Sequence, residues 1–197
     1  MKTIKEEIIN EIIINKSRFI TIITPISDTE KVKEKIEKIK KEYKDATHYC
    51  FGYIINSKEK CFDDGEPSGT AGMPILNILK INNLTNVLCI VVRYFGGIKL
   101  GAGGLVRAYS SSAKEAIQKC QIGMLDSGYQ ITIELDYNNT KSVDYILKDY
   151  DIEKSYDEKI KYTFKINKTE YENIKESLNN YSKLLNKQEI TMIKDEN

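Results

Sequence analysis

The sequence has few of the features that mark membrane, secreted or metal-binding proteins. Its longest stretch without a charged residue is the thirteen positions from Pro67 to Leu79, whereas a membrane-spanning helix needs about 20 apolar residues. Acidic side chains at Glu6, Glu7 and Glu11 interrupt the apolar run that a signal peptide would need. We therefore expect a cytoplasmic protein without a membrane partner.

Metal-ligating residues are sparse. The four cysteines (Cys50, Cys61, Cys89, Cys120) form no CxxC pair, and His48 is the only histidine. Structural zinc sites use more closely spaced ligands, so we predict no metal site and expect reduced thiols. His48 and Cys50 would share one face of a strand. Neither an orienting group nor an oxyanion hole is identifiable beside them, so we interpret them as core residues, and the catalytic residues stay unknown.

Arginine is scarce, and charge is unevenly distributed. The chain has 27 Lys but only three Arg (Arg18, Arg93, Arg107), and its net charge is +1. Residues 1–125 hold 19 basic and 14 acidic side chains, a net charge of +5, and residues 126–197 hold 11 and 15, a net charge of −4. Near-neutrality excludes a highly cationic chain. The basic first part still permits a nucleic-acid surface.

Glycine and proline indicate where the chain divides. Nine of the eleven glycines lie between Gly52 and Gly104, and neither residue occurs after Tyr129. Two glycines interrupt the pattern within residues 122–129, so we predict two domains, 1–125 and 126–197.

Hydrophobic patterning predicts an α+β class for both domains. In the first domain, we expect strands at 7–14, 18–24, 46–56 and 85–94, with a hairpin turn at 15–17. We expect three helices: one that begins at Ser27 or Asp28 and ends at 43, a short one after Pro74, and one at 103–119. A glycine-rich loop precedes each of the last two helices. In the second, we expect strands at 130–137, 152–156, 159–167 and 189–195, with helices at 140–150 and 169–183. This β-α-β-β-α-β order is the ferredoxin-like plan, which hosts many functions.

Two segments contain the residue types that carry chemistry. The first, residues 61–72, is called here the acidic loop. Its Asp63, Asp64 and Glu66 could hold magnesium or supply a base, with Ser68 or Thr70 touching a ligand. Alternatively, the acids pair with arginines and the hydroxyls cap the next helix. The spacing matches no known calcium or magnesium loop, so we expect no cofactor, with magnesium as the alternative.

The second segment, residues 93–109, joins a strand to a helix. It contains five glycines, and a glycine-rich turn before a helix N-terminus suits a phosphate. We predict a nucleic-acid or phosphate-binding surface here, with Tyr94 and Phe95 able to stack on a base. The candidate residues, including two from the hairpin turn, are Lys16, Arg18, Arg93, Tyr94, Gly96, Gly97, Lys99, Gly103, Gly104 and Arg107. The alternative is that the glycines allow tight packing and the arginines pair with the acidic loop.

The motifs together resemble the IMPACT/YigZ family in its bacterial two-domain form. The resemblance rests on DDGEPSGTAG at 63–72, RYFGG at 93–97 and GGLVRAY at 103–109, with KSRF at 16–19 and the His48/Cys50 pair. It implies a first domain like the second domain of a small-subunit ribosomal protein. The second domain would then be similar to the last domain of elongation factor G. It also implies a role near translation or RNA, without an established activity.

Three functional hypotheses follow. The first is a translation-associated regulatory protein that binds RNA or the ribosome through the basic glycine-rich surface, with a possible protein partner in translation control. The second is an enzyme that binds a nucleotide or phosphorylated metabolite in the same loop, although nothing in the sequence identifies a catalytic residue. The third is a protein–protein interaction module that works through the acidic second domain.

Overall fold

The computed structural model describes residues 1–195, which form two compact units. One contains Met1–Met124 together with Asp195, and the other contains Leu125–Lys194. Both units combine strands with helices, so the predicted α+β class is confirmed. Within the described range, no helix is both long enough and apolar enough to cross a bilayer.

The first unit is built on a five-stranded antiparallel sheet. Its elements are β1 (Lys2–Ile4), β2 (Ile8–Ile14), β3 (Ser17–Pro25), α1 (Thr29–Glu42), β4 (His48–Ile55), β5 (Lys58–Phe62), α2 (Gly72–Ile81), β6 (Val87–Tyr94) and α3 (Gly101–Gln118). The strand order is β2-β3-β6-β4-β5. The short strand β1 pairs outside this sheet with residues 122–124.

Helices cover both faces of this sheet. On one face, Val32 of α1 belongs to a buried cluster that includes Ile22 and Ile90. On the other, α2 and α3 pack on Phe19 and Val91 and their neighbours. The central strand β6 is therefore buried on both sides, as its continuous apolar run predicts.

Local sequence explains where α1 begins. The Asp28 carboxylate accepts a hydrogen bond of 2.9 Å from the Glu30 N–H, which satisfies one of the unpaired donors of the first turn. This confirms the predicted start. Three expectations need correction: β5 occupies residues expected to be loop, α2 begins at Gly72, before Pro74, and α3 begins two residues earlier than expected.

The second unit has the predicted element order. It comprises β7 (Ile122–Leu135), a 3-10 turn (Tyr137–Asn139), α4 (Thr140–Ile146), β8 (Ile152–Tyr156), β9 (Ile160–Asn167), α5 (Lys168–Asn179) and β10 (Lys183–Asp195). The strands lie in the order β10-β7-β9-β8, and side chains such as Ile131, Tyr162 and Phe164 form the core.

Several boundaries in this unit differ from expectation. Gly123 and Gly128 lie inside the continuous strand β7 and do not interrupt it. Helix α4 ends at Ile146, and β10 begins at Lys183. The Asn167 side chain, which accepts a hydrogen bond from the Thr169 N–H at 2.8 Å, caps α5 one residue before the helix begins.

Candidate functional site

Antiparallel pairing brings both candidate segments to one end of the first unit's sheet, called here the loop end. β3 begins and β6 ends there, because Arg18 is paired with Tyr94. β4 begins at the same end, since His48 is paired with Arg93. The hairpin turn 15–16, the acidic loop and the glycine-rich loop at 95–100 therefore all lie at the loop end.

A buried ion pair joins the acidic loop to β6. Arg93 is only 4% exposed and Glu66 only 8%. Arg93 Nη1 donates to Glu66 Oε1 at 2.5 Å, and the Tyr109 hydroxyl donates to the same oxygen at 2.8 Å. The other guanidinium nitrogen, Nη2, lies 3.4 Å from Ser17 Oγ. Arg93 is therefore buried inside the unit and pairs with the acidic loop. This is the alternative role given above, and it replaces the prediction that Arg93 binds phosphate.

His48 and Cys50 adjoin this pair. His48 Nδ1 lies 2.8 Å from the Asp64 carbonyl oxygen, which fixes Nδ1 as the donor, and Nε2 lies 3.8 Å from Glu66 Oε1. The Cys50 sulfur lies 3.4 Å from the Tyr109 hydroxyl. Burial raises the pKa of the Cys50 thiol to about 12, and burial also raises the pKa of Tyr109. Cys50 therefore remains a thiol at neutral pH and is a poor nucleophile.

The Asp63 carboxylate caps α2 from a distance in sequence. It accepts hydrogen bonds from the N–H groups of Gly69 (2.8 Å), Ala71 (3.0 Å) and Gly72 (2.8 Å). Burial by itself would raise the pKa of Asp63, but the three N–H donors outweigh burial, and its pKa lies below the ordinary value. Asp63 therefore stabilises the helix start and the turn before it.

Two further polar side chains of the acidic loop, Asp64 and Thr70, also bond to protein atoms. Asp64 Oδ2 accepts a hydrogen bond from the Tyr49 N–H at 2.7 Å, and the Thr70 hydroxyl donates to the Pro67 carbonyl at 2.6 Å. Ser68 is exposed. Across residues 1–195 no group of three or more His, Cys, Asp or Glu side chains is arranged to hold a metal ion. Asp63, Asp64 and Glu66 each already accept a hydrogen bond from a protein donor, so these contacts do not favour the binding of magnesium.

Close packing shapes the glycine-rich loop. A Cβ built on Gly96 would overlap the backbone of Lys16 and Ser17, and the Gly96 N–H donates to Ser17 Oγ at 3.1 Å. Only glycine permits this approach. Gly97 has a positive φ of 84°, whereas Gly103 and Gly104 lie in the first turn of α3. The first turn of α3 has no capping side chain and no acidic residue.

Four of the predicted cations are exposed at the loop end: Arg18 and a group of three, Lys16, Lys99 and Arg107. Arg107 reaches back along α3, because its Nη1 lies 3.7 Å from where a Cβ on Gly103 would be. Considering the described part of the chain, none of the three has an ion pair or side-chain hydrogen bond. Arg18 differs, since Glu11 accepts from its Nε at 2.7 Å and its Nη2 at 3.1 Å.

The two aromatic candidates have different surroundings. The Tyr94 hydroxyl donates to the Lys44 carbonyl at 3.0 Å, and the Arg18 guanidinium lies 5.3 Å from the centre of its ring. Phe95 follows the end of β6 and is 46% exposed. Its N–H donates to Thr47 Oγ1 at 3.0 Å. Tyr94 is thus engaged within the protein, and Phe95 presents a ring to solvent.

Sequence reasoning missed the structural importance of Tyr109, Ser17 and Thr47. Tyr109 lies four residues after Leu105 and four before Ala113, on the buried face of α3. A buried tyrosine needs a hydrogen-bond partner. The position of Tyr109 on the apolar face of a predicted helix could therefore have indicated that its hydroxyl bonds to another buried polar group. Ser17 and Thr47 contact the glycine-rich loop across 79 and 48 residues of sequence. No local pattern indicates such contacts.

The structure is that of a two-unit α+β protein whose first unit carries exposed cations and a glycine-rich loop at the loop end. Comparison with known proteins gives a family. The Impact N-terminal domain matches residues 15–117. The IMPACT family member YvyE of Bacillus subtilis is 48% identical over 127 residues, which cover 63% of this chain and 58% of YvyE. The IMPACT family member YigZ of Escherichia coli is 34% identical over 68% of each chain.

A solved structure extends the similarity over both units. The crystal structure of a hypothetical protein, 27% identical in sequence, covers 93% of this chain and 95% of its own, with a TM-score of 0.62. The chain belongs to the IMPACT family. The family resemblance drawn from the motifs is therefore confirmed. The match covers less than two thirds of YvyE.

Proposed function

We propose that this protein is a cytoplasmic, translation-associated regulator that binds RNA or the ribosome through phosphate contacts at the loop end. Membership of the IMPACT family supports the link to translation, as the resemblance implies. The likeness of the first unit to a ribosomal-protein domain, and of the second to the last domain of elongation factor G, belongs to the same proposal. A protein partner in translation control would act alongside RNA.

The observation that carries the proposal is the set of cations without partners. Lys16, Lys99 and Arg107 are exposed, and no carboxylate within residues 1–195 pairs with them. The nearby carboxylates do not neutralise these cations, because Asp63 accepts hydrogen bonds from backbone N–H groups and Glu66 pairs with Arg93. Cations that are not neutralised within the protein are available to phosphate oxygens.

The start of α3 adds to this surface. Its first N–H groups have no side-chain cap, and the N-terminus of a helix carries a partial positive charge. Lys99 lies two residues before α3, and Arg107 lies in its second turn. Backbone donors and side-chain cations therefore occupy the same short stretch of chain, an arrangement that suits phosphate.

The contacts favour binding over the enzyme hypothesis. An enzyme of that kind needs a carboxylate free to act as a base or a magnesium ligand. Asp63, Asp64 and Glu66 all accept hydrogen bonds from protein donors. No comparable observation favours the interaction-module hypothesis for the second unit.

The test is RNA and ribosome binding as a function of salt. Each phosphate contact with a single strand contributes about 0.7 to the slope of log affinity against log salt, so three contacts predict about a 20-fold loss between 50 and 200 mM salt. Lys99→Ala combined with Arg107→Ala should lower the slope by about 1.4. The matched control removes two exposed lysines of α1, Lys33→Ala and Lys41→Ala, and should leave the slope unchanged.

Two results would contradict the proposal. One is the absence of binding to RNA or ribosomes at 50 mM salt. The other is an equal loss of binding in the loop-end variant and the α1 variant, because this would indicate a general effect of net charge.

A further inference from the structure

Phe95 has an unusual position for a phenylalanine. It directly follows the most deeply buried strand of the unit, yet 46% of it is exposed. The buried Arg93 guanidinium lies 5.4 Å from the centre of the Phe95 ring. A cation therefore lies over one face of the ring, while nearly half of the residue stays exposed.

The support beneath the ring is fixed. The same guanidinium lies 5.3 Å from the centre of the buried Phe19 ring. Glu66 and Ser17 hold the guanidinium by hydrogen bonds. The cation therefore contacts both a buried ring and a half-exposed ring, and it attracts the electron-rich face of Phe95.

The backbone of Phe95 is also held on both sides. Its own N–H donates to Thr47 Oγ1 at 3.0 Å, and the next N–H, of Gly96, donates to Ser17 Oγ at 3.1 Å. An aromatic ring that is already ordered loses little conformational freedom when a ligand stacks on it. Phe95 thus has the properties of a preformed stacking platform.

Three exposed cations lie on the segments of chain that adjoin this platform. Gly96 packs directly on the backbone of Lys16, so the hairpin turn lies beside Phe95. Lys99 is four residues further along the same loop, and Arg107 extends along the first turn of α3. An exposed aromatic ring next to cations without partners is the combination by which proteins bind single strands, through base stacking and phosphate contact.

We propose that Phe95 stacks on an unpaired base of single-stranded RNA while Lys16, Lys99 and Arg107 contact the flanking phosphates. This inference rests on the proposed RNA-binding function and specifies the ligand. A base within a duplex is already stacked on its neighbours and cannot cover the ring. The protein therefore selects single-stranded segments over duplex RNA.

The experiment uses the absence of tryptophan from the chain. In a Phe95→Trp variant, the single indole reports stacking directly, and its fluorescence should be quenched by a 12-nucleotide single-stranded RNA but not by a fully paired, blunt-ended RNA duplex. Phe95→Leu should weaken single-strand binding by about 5- to 150-fold, the range given by loss of one base–aromatic stack. Ile98→Ala removes another exposed apolar side chain of the loop and should not change affinity.

The outcomes separate this inference from the function on which it rests. If wild-type protein binds the single strand, and Lys99→Ala with Arg107→Ala weakens it, while Phe95→Leu has no effect, the stacking role is wrong and the RNA-binding function stands. Equal affinity for duplex and single strand would likewise overturn the inference. If neither RNA nor ribosomes bind, both proposals fail. A thermal melt of Phe95→Leu that matches the wild type shows that any loss of affinity is not caused by unfolding.

Discussion

Glu66 allows the buried network at the loop end to be tested through stability. Replacing Glu66 with Ala removes the acceptor of two hydrogen bonds, from Arg93 at 2.5 Å and from Tyr109 at 2.8 Å. The Arg93 charge would then remain buried with only Ser17 Oγ, at 3.4 Å, as a hydrogen-bond partner. Removing one member of a buried ion pair costs about 3–5 kcal/mol. For a protein of this size that corresponds to a fall in Tm of roughly 6–20 °C.

A surface pair of equal length provides the matched control. Lys80 Nζ and Glu59 Oε2 are also 2.5 Å apart, but both side chains are more than 40% exposed. Exposed pairs contribute only about 0–1 kcal/mol, so Glu59→Ala should leave stability nearly unchanged. The difference between the two variants measures the effect of burial, because the separation of the charges is the same.

The assay is urea unfolding followed by circular dichroism, with melting curves alongside. A double variant, Glu66→Leu with Arg93→Met, completes the design. Replacing both members of a buried pair with apolar groups is often neutral, so the double variant should be more stable than Glu66→Ala. Two results would refute the reasoning: a Glu66→Ala variant within about 1 kcal/mol of wild type, or a double variant no more stable than Glu66→Ala.

Two further predictions concern the turns at the loop end. Asp63→Asn should lower stability at pH 7 by about 1 kcal/mol, the usual value of a helix cap. Because the pKa of Asp63 is lowered in the folded protein, its contribution is fully present above the unfolded value, about 3.9. It is lost as the pH falls through the folded value, so the difference between variant and wild type should vanish in acid-unfolding curves at low pH. Gly96→Ala should destabilise the protein more than Gly97→Ala in urea titrations, because only at Gly96 does a Cβ overlap the backbone, while Gly97 has open space and a positive φ; equal effects would contradict this.

The sequence predicted the elements that bury a continuous or periodic apolar pattern. The run VLCIVVRY became β6, and Asp28 capped α1 as expected. β5 was missed because it is an edge strand whose first three residues, Lys58, Glu59 and Lys60, are charged and exposed, so no apolar alternation marks it. Strand β1 has only three residues. It pairs with residues 122–124, which are far away in the sequence, and local patterning cannot reveal such a pairing.

The candidate site was predicted in outline but not in its division of roles. The motifs identified both loops, and pairing of the strands places them at one end of the sheet. Sequence alone left two roles open for each arginine. The structure assigns different surroundings to all three: Arg93 is buried with Glu66, Arg18 is paired with Glu11, and Arg107 is exposed. Burial decides between the roles, and burial depends on long-range contacts.

The bond between Arg93 and Glu66 has a consequence for motion. The acidic loop cannot lift away from the sheet without separating that pair, and separation would leave the Arg93 cation beside the Phe95 ring with Ser17 Oγ as its hydrogen-bond partner. The two loops, about thirty residues apart in sequence, are therefore linked through one buried pair. Loss of the Glu66 contact would loosen the cation that supports the Phe95 ring, so order in the acidic loop contributes to order in the glycine-rich loop.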